Sequence, residues 1–210
     1  MKDLWLIRHA ESVANVGEST STPLEIPLSD RGFSDADKLA DQINVRPDLI
    51  VVSPYVRARQ TAEPVQLRFP DVPVEVWPVQ EFTYLSVSRC RGTDQATRKP
   101  WVEEYWKRAD PNYCDGDQAE SFAEFLGRID RFVDAVSERE FELLFVFTHE
   151  QTIKGLIWQA MHIAPNVDQS SMKGFNDFQR SFKVPNASIL AAKVDVDGQV
   201  YFGNIDQPVG

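Results

Sequence analysis

Cysteine is nearly missing from this chain: Cys90 and Cys114 are the only two, and they form no CxxC pair. That excludes the disulfide framework of a stapled secreted domain and suits free thiols in a reducing cytoplasm, with a single bridge between the two as the alternative. Positive charge is also short, since 22 Lys and Arg against 32 Asp and Glu leave a net charge of -10. So acidic a chain repels nucleic acid and anionic membrane, and any anionic ligand has to be caught by a local cluster of arginines. No apolar run is long enough to cross a bilayer. The first apolar segment starts at Leu4, behind only Met1, Lys2 and Asp3, and is broken by Arg8, so no secretory signal is expected and the expected location is the cytoplasm. Internal repeats, low-complexity tracts and Gly- or Ser-rich linkers are lacking too, which argues for one unit over residues 1–210. HExxH, zinc-spaced Cys and His, DxD and the P-loop are all absent, so neither metal nor nucleotide cofactor is expected.

What is present is a hydrophobic fraction of 42% in 210 residues, enough for a sizeable core. Asp3 to Ile7, Asp48 to Val52 and Leu143 to Phe147 are short continuous apolar runs rich in β-branched and aromatic residues, the pattern of strands buried on both faces of a parallel sheet. Between and after them, apolar residues recur every three or four positions: Phe33, Ala36, Ala40 and Ile43; then Phe122, Phe125, Leu126, Ile129, Phe132, Val133 and Val136; then Ile153, Leu156, Ile157, Ala160 and Met161. Ser29 and Ser121, the latter three residues before Glu124, have the look of helix N-caps. Two further strands, Ser188 to Val194 and Gln199 to Phe202, flank Asp197-Gly198, a hairpin dipeptide, and would add an antiparallel edge. The implied fold is α/β: a three-layer α/β/α sandwich with a mostly parallel central sheet and right-handed crossovers. Only Phe82 to Gln118 lacks a long clean period, and a long irregular stretch in a compact domain is commonly a functional lid.

Arg8-His9, Ser53-Pro54 and Thr148-His149 each follow a strand-like run, which places them at carboxyl strand ends, where ligands bind in open α/β sheets. Two of the chain's three histidines are thus set to meet in one crevice, along with Arg57. Either histidine alone reads best as structural; together with Arg8 and Arg57 that reading loses ground.

The residues around these positions resemble a known family. LIRHAESVAN at Leu6 to Asn15 is similar to the LxRHGE(S/T)xxN signature of the histidine phosphatases, the phosphoglycerate mutase-like family, and SPYVRARQTA matches their SPxxRAxQTA segment. PLSDRG, GDQAESFAEFLGRI and FVFTHEQTIK agree in family order, so the likeness runs from residue 4 to about 155. The resemblance implies a phosphatase that uses no metal and passes the phosphoryl group through His9, cradled by Arg8, Arg57 and His149, with Ser12 and Asn15 as further contacts. Residue chemistry is consistent with that: arginine forks match phosphate oxygens, and neutral imidazole is a nucleophile. One carboxylic acid should protonate the leaving group and then deprotonate water. Glu81, after PVEVWPV where the family usually carries its acid, is the first candidate, and Glu150, directly after the second histidine, is its rival. Ala10 and Glu150 depart from the family's usual glycines, and Glu150 puts a carboxylate near the presumed phosphate. The expected partner is a small phosphorylated metabolite ahead of a phosphoprotein, with oligomeric state left open. A phosphoglycerate mutase-type transferase and a weakly active phospho-ligand binding module are the alternatives. Arg89 and Arg91, with the aromatics around them in the 82–118 stretch, are expected to cover the pocket and contact substrate, while Trp101, Tyr105 and Arg108 at helical spacing also allow a packed peripheral helix.

Overall fold

A computed structural model describes residues 1–161 and 166–206. Six strands form one sheet: β1 (Lys2–Arg8), β2 (Leu49–Val52), β3 (Val74–Val76), β4 (Leu143–Thr148), β5 (Ile189–Val194) and β6 (Val200–Asp206), in the order β3-β2-β4-β1-β5-β6. The first four in that order pair in parallel, whereas β5 and β6 add the antiparallel edge. Their hairpin turns at Asp197-Gly198, where Gly198 takes a φ of 78° that a side chain would resist.

Alternation along the central strands explains the layers. Leu4, Leu6, Val51, Leu144 and Val146 point to one face, where they meet α4 (Gln95–Arg108), α5 (Phe122–Glu138), α6 (Glu150–Ala160) and α7 (Gln169–Ser181). Ile7, Ile50, Val52, Phe145 and Phe147 point to the other, against α1 (Asp30–Gln42) and α2 (Val56–Arg68). This is the expected mixed α/β fold. Both expected caps form: Ser29 Oγ accepts from Gly32 N, and Ser121 with Glu124 makes a reciprocal capping box.

Three details differ from the sequence reading. Phe33 and Met161 are each 43% exposed, because they stand at the margins of their apolar stripes. The stretch from Phe82 to Gln118 is more regular than expected, holding α3 (Val87–Cys90) and all of α4. Its aromatics go mainly inward: Phe82, Tyr105 and Trp106 belong to the core with Phe122, Phe125 and Phe175, and Trp101 packs against it, so the packed-helix reading holds for Trp101 and Tyr105. Helix α7, which the sequence reading passed over, sets Met172, Phe175 and Phe178 at three-residue spacing against the core.

Beneath the sheet's carboxyl edge, Arg128 of α5 is nearly fully buried and ties three segments together. Its guanidinium pairs bidentately with Glu120 at 2.7 Å on both oxygens and donates to the carbonyls of Pro78 and Gln80, each at 3.0 Å. Removing one side of such a pair strands the other in a poorly solvated place. Arg128→Met should lower the unfolding free energy by about 2–3 kcal/mol, measurable by chemical denaturation.

Candidate active site

The carboxyl ends of β1, β2 and β4 bring the expected residues together. His9 N donates to Thr148 O at 3.0 Å, extending the β1–β4 ladder by one residue, and Ser53 N donates to Phe147 O at 3.0 Å. The two imidazoles therefore face each other with ring centroids 5.1 Å apart.

The His9 ring is held by main chain. Its Nδ1 lies 2.7 Å from the carbonyl of Ala10. A carbonyl can only accept, so Nδ1 carries the proton and Nε2 keeps its lone pair. Arg57, in the first turn of α2, donates from Nε to that Nε2 at 3.1 Å and from Nη1 to Pro23 O at 2.8 Å. Its guanidinium lies over the Tyr55 ring. Burial lowers the Arg57 pKa to about 10, which leaves it a cation at neutral pH. Burial, then Arg57, then Arg8 hold the His9 pKa well below the usual histidine range. Ala10, fully buried, keeps a negative φ and donates from N to Thr61 Oγ1 at 2.9 Å, so alanine fits where the family usually has glycine.

His149 is the N-cap of α6, with Nε2 2.7 Å from Ser53 Oγ. Its Nδ1 is buried without a partner among the described residues, and so is Nε of Arg8. These two buried nitrogens, beside the lone pair of His9 Nε2, suit an anion, because buried donors generally take acceptors. Burial, then Arg57, keep His149 well below the usual range as well.

Arg8 donates from Nη1 to Val184 O and pairs through Nη2 with Glu150 at 3.1 Å. Glu81 follows β3 and lines the cleft; its Oε1 accepts from Gln151 N at 2.9 Å and from Phe82 N at 3.3 Å. Its pKa is raised, chiefly by burial, against the opposing pull of Arg57 and Arg8. Ser12 and Asn15 sit nearby but face one another, with Asn15 Oδ1 accepting from Ser12 N and Oγ at 3.0 and 2.9 Å.

Arg57 and Glu81 open onto a cavity of about 640 Å³, walled by Pro23, Ile26 and residues of the 82–102 stretch. Arg89 and Arg91 are not among its walls. Arg89 is drawn away by Asp115, 2.8 Å from its guanidinium, and by the face of Trp101, in a separate small cleft. Arg98 and Lys99 line the large cavity instead. Arg98 is committed to Thr20, Thr93 and the Cys90 carbonyl, which leaves Lys99 the freer cation. The sequence reading missed Asn186, which donates to His9 O at 2.9 Å, Thr61, and Lys154, buried against Glu150. Thr61 and Lys154 both fall inside the quoted stretches SPYVRARQTA and FVFTHEQTIK, whereas Asn186 lies outside every one of them.

With this geometry in view, comparison with known proteins is decisive. Residues 4–200 match the histidine phosphatase superfamily, branch 1. The chain belongs to that superfamily. It is 31% identical over 164 residues to the adenosylcobalamin/alpha-ribazole phosphatase of Salmonella typhimurium, covering 73% of this chain and 77% of that protein. The fold is shared with a putative alpha-ribazole-5'-P phosphatase from Escherichia coli (TM-score 0.75, 23% identity, 99% and 98% of the two chains covered). It is also shared with a phosphoserine phosphatase mutant of Entamoeba histolytica bound to phosphoserine (TM-score 0.70, 19% identity, 98% and 97% covered). The expected class, a histidine phosphatase, stands with that membership.

The depressed histidines fix a sign. In the unfolded chain each takes up a proton near the ordinary histidine value of 6.5, while in the folded protein both stay neutral. Their contribution to stability is therefore present above about pH 6.5 and is lost as pH falls below it, by up to about 1.4 kcal/mol per pH unit for each proton. Glu81, whose pKa is raised, works in the opposite sense, losing its contribution as pH rises above the ordinary carboxylate range. Denaturation of wild type and His9→Gln between about pH 7.5 and 5.5 should show a smaller acid-side loss in the variant; equal slopes would mean that His9 is charged in the folded state.

Proposed function

We propose that the protein hydrolyses a small phosphomonoester without a metal, through a phosphohistidine on His9 Nε2. The observation that carries this reading is the Nδ1 contact to the Ala10 carbonyl, which fixes the lone pair on Nε2, between Arg57 and His149. Phosphoryl transfer asks mainly for positioning and for charge opposite the equatorial oxygens. Arg57, Arg8 Nε and His149 Nδ1 supply that. His149 donates from Nδ1 when the Ser53 hydroxyl donates to its Nε2, an arrangement favoured because Tyr55 N already donates to Ser53 Oγ at 3.2 Å. Among the described residues no three His, Cys, Asp or Glu side chains gather as metal ligands would.

In the first step Nε2 attacks phosphorus, the ester P–O bond breaks, and Glu81 gives its proton to the departing alkoxide. A water then attacks the phosphohistidine, Glu81 takes the water's proton, the P–N bond breaks, and phosphate leaves. A carboxyl with a raised pKa is suited to both turns. Glu150 suits the role less, since both its oxygens are engaged, one by Arg8 and one by Lys154.

The leaving group would lie in the 640 Å³ cavity. Ile26, Phe82, Leu85 and Val102 make it largely apolar, with Tyr84 and Lys99 on the wall, which favours a ring-bearing alcohol over a small polar one. Relatives named for alpha-ribazole phosphate point the same way. The 82–118 segment then acts as the specificity wall, through α4 rather than through Arg89 and Arg91. Cys90 and Cys114 are both free, in keeping with a reducing cytoplasm.

Two measurements test this reading. His9→Ala should lose turnover of an aryl phosphate by on the order of 10³ or more, along with any acid-labile label trapped on the chain; retained turnover would end the proposal. Glu81→Gln should slow an alkyl phosphate by about 10²–10⁴ yet an aryl phosphate by less than about tenfold, because phenolate leaves without a proton. Equal losses on both esters would remove Glu81 from the acid's role.

A further inference from the structure

Glu150 stands where the protein's own chemistry has no evident need of an anion. It is the first residue of α6, immediately after His149, and its carboxylate is fixed from three sides. Oε2 lies 3.1 Å from Arg8 Nη2, Oε1 lies 2.7 Å from Lys154 Nζ, and Oε1 also accepts from Val184 N at 3.3 Å. Lys154 is itself buried and clamped, donating to Gln179 O at 2.6 Å with its ammonium over the Phe182 ring. Arg8 is thereby divided: one nitrogen on the Val184 carbonyl, one on Glu150, and Nε buried with no partner among the described residues.

We infer that Glu150 is a resident counter-anion of the phosphate pocket, holding Arg8 in position while weakening its grip on phosphate. This rests on the phosphohydrolase reading above and adds a control on affinity to it. The physical case is one of competing charges. Arg8 and Arg57 would otherwise bind a dianion jointly in a largely desolvated place, and product phosphate, which satisfies the same cradle as the substrate's phosphoryl group, would leave slowly. A fixed carboxylate on Arg8 raises the energy of any second anion there, for substrate ground state and product alike. Uniform weakening of that kind raises KM without slowing the chemical step, and favours product departure. Lys154 keeps Glu150 from swinging into the cradle as a bound anion of its own.

Equilibrium binding of inorganic phosphate to the whole protein, by calorimetry, tests this independently of turnover. Glu150→Gln and Glu150→Ala remove the charge and should bind phosphate about tenfold more tightly, a figure scaled down because Glu150 is 21% exposed. Glu150→Asp keeps the charge and should stay within about threefold of wild type. The KM for an aryl phosphate should fall in parallel with the phosphate dissociation constant. If Gln and Ala bind phosphate no better, or worse, while the protein merely melts at a lower temperature, Glu150 is only a prop for Arg8 and the inference falls. Should one of these two fail to fold, the other decides, with Asp as the control. A wild-type protein that neither binds phosphate nor cleaves aryl phosphate would overturn the proposed function itself; one that does both, with no tightening in the variants, overturns the counter-anion alone.

Discussion

One backbone hydrogen bond, from His9 N to Thr148 O, aligns the strand ends that carry the candidate site. It continues the parallel ladder of β1 and β4 by a single residue past the last strand pair, Arg8 with Thr148. Parallel neighbours end on the same side of a sheet, so extending the ladder puts the next side chains, His9 and His149, on one edge at a separation the strand spacing dictates. Arg8 is carried there by the same strand, and Arg57 by the turn after β2, which pairs with β4 on its other side. The site is thus a property of three adjacent strand ends.

That dependence explains how much was legible in the sequence. The strand runs were readable because burial on both faces demands unbroken apolar stretches, and Leu6, Ile7, Val51, Val52, Val146 and Phe147 leave no polar gap. His9, Arg57 and His149 could be placed in one crevice once those runs were taken as parallel. What could not be read were contacts set by tertiary packing alone. Asn186 arrives from the loop before β5, far along the chain, and nothing in its neighbourhood announces a site. Arg89 was drawn off by Asp115, a pairing between residues whose approach depends on how α4 packs. The inward turn of Tyr105 and Trp106 has the same cause: the aromatic cluster built on Phe82, Phe122, Phe125 and Phe175 needed filling more than the cleft needed rings.

Charge is distributed with similar economy. The protein carries a net -10, yet its buried cations, Arg8, Arg57, Arg128 and Lys154, all lie around the carboxyl edge of the sheet. Arg128 and Lys154 are answered by Glu120 and Glu150, while Arg57 has a carbonyl and an aromatic face for neighbours and no acid in direct contact. An acidic exterior around such an interior repels a polyanion before it can approach these buried cations.

The anchoring of these side chains is mostly to main chain: His9 to the Ala10 carbonyl, Arg57 to that of Pro23, Arg8 to that of Val184 and Arg128 to those of Pro78 and Gln80. A carbonyl survives any substitution of the residue that bears it, provided the backbone keeps its path. The orientation of His9 and of the buried arginines is therefore set by the path of the backbone rather than by the side chains at positions 10, 23, 78, 80 and 184. On the proposed function, substitutions along the cavity wall on α4 would leave the backbone anchors of His9, Arg8 and Arg57 in place.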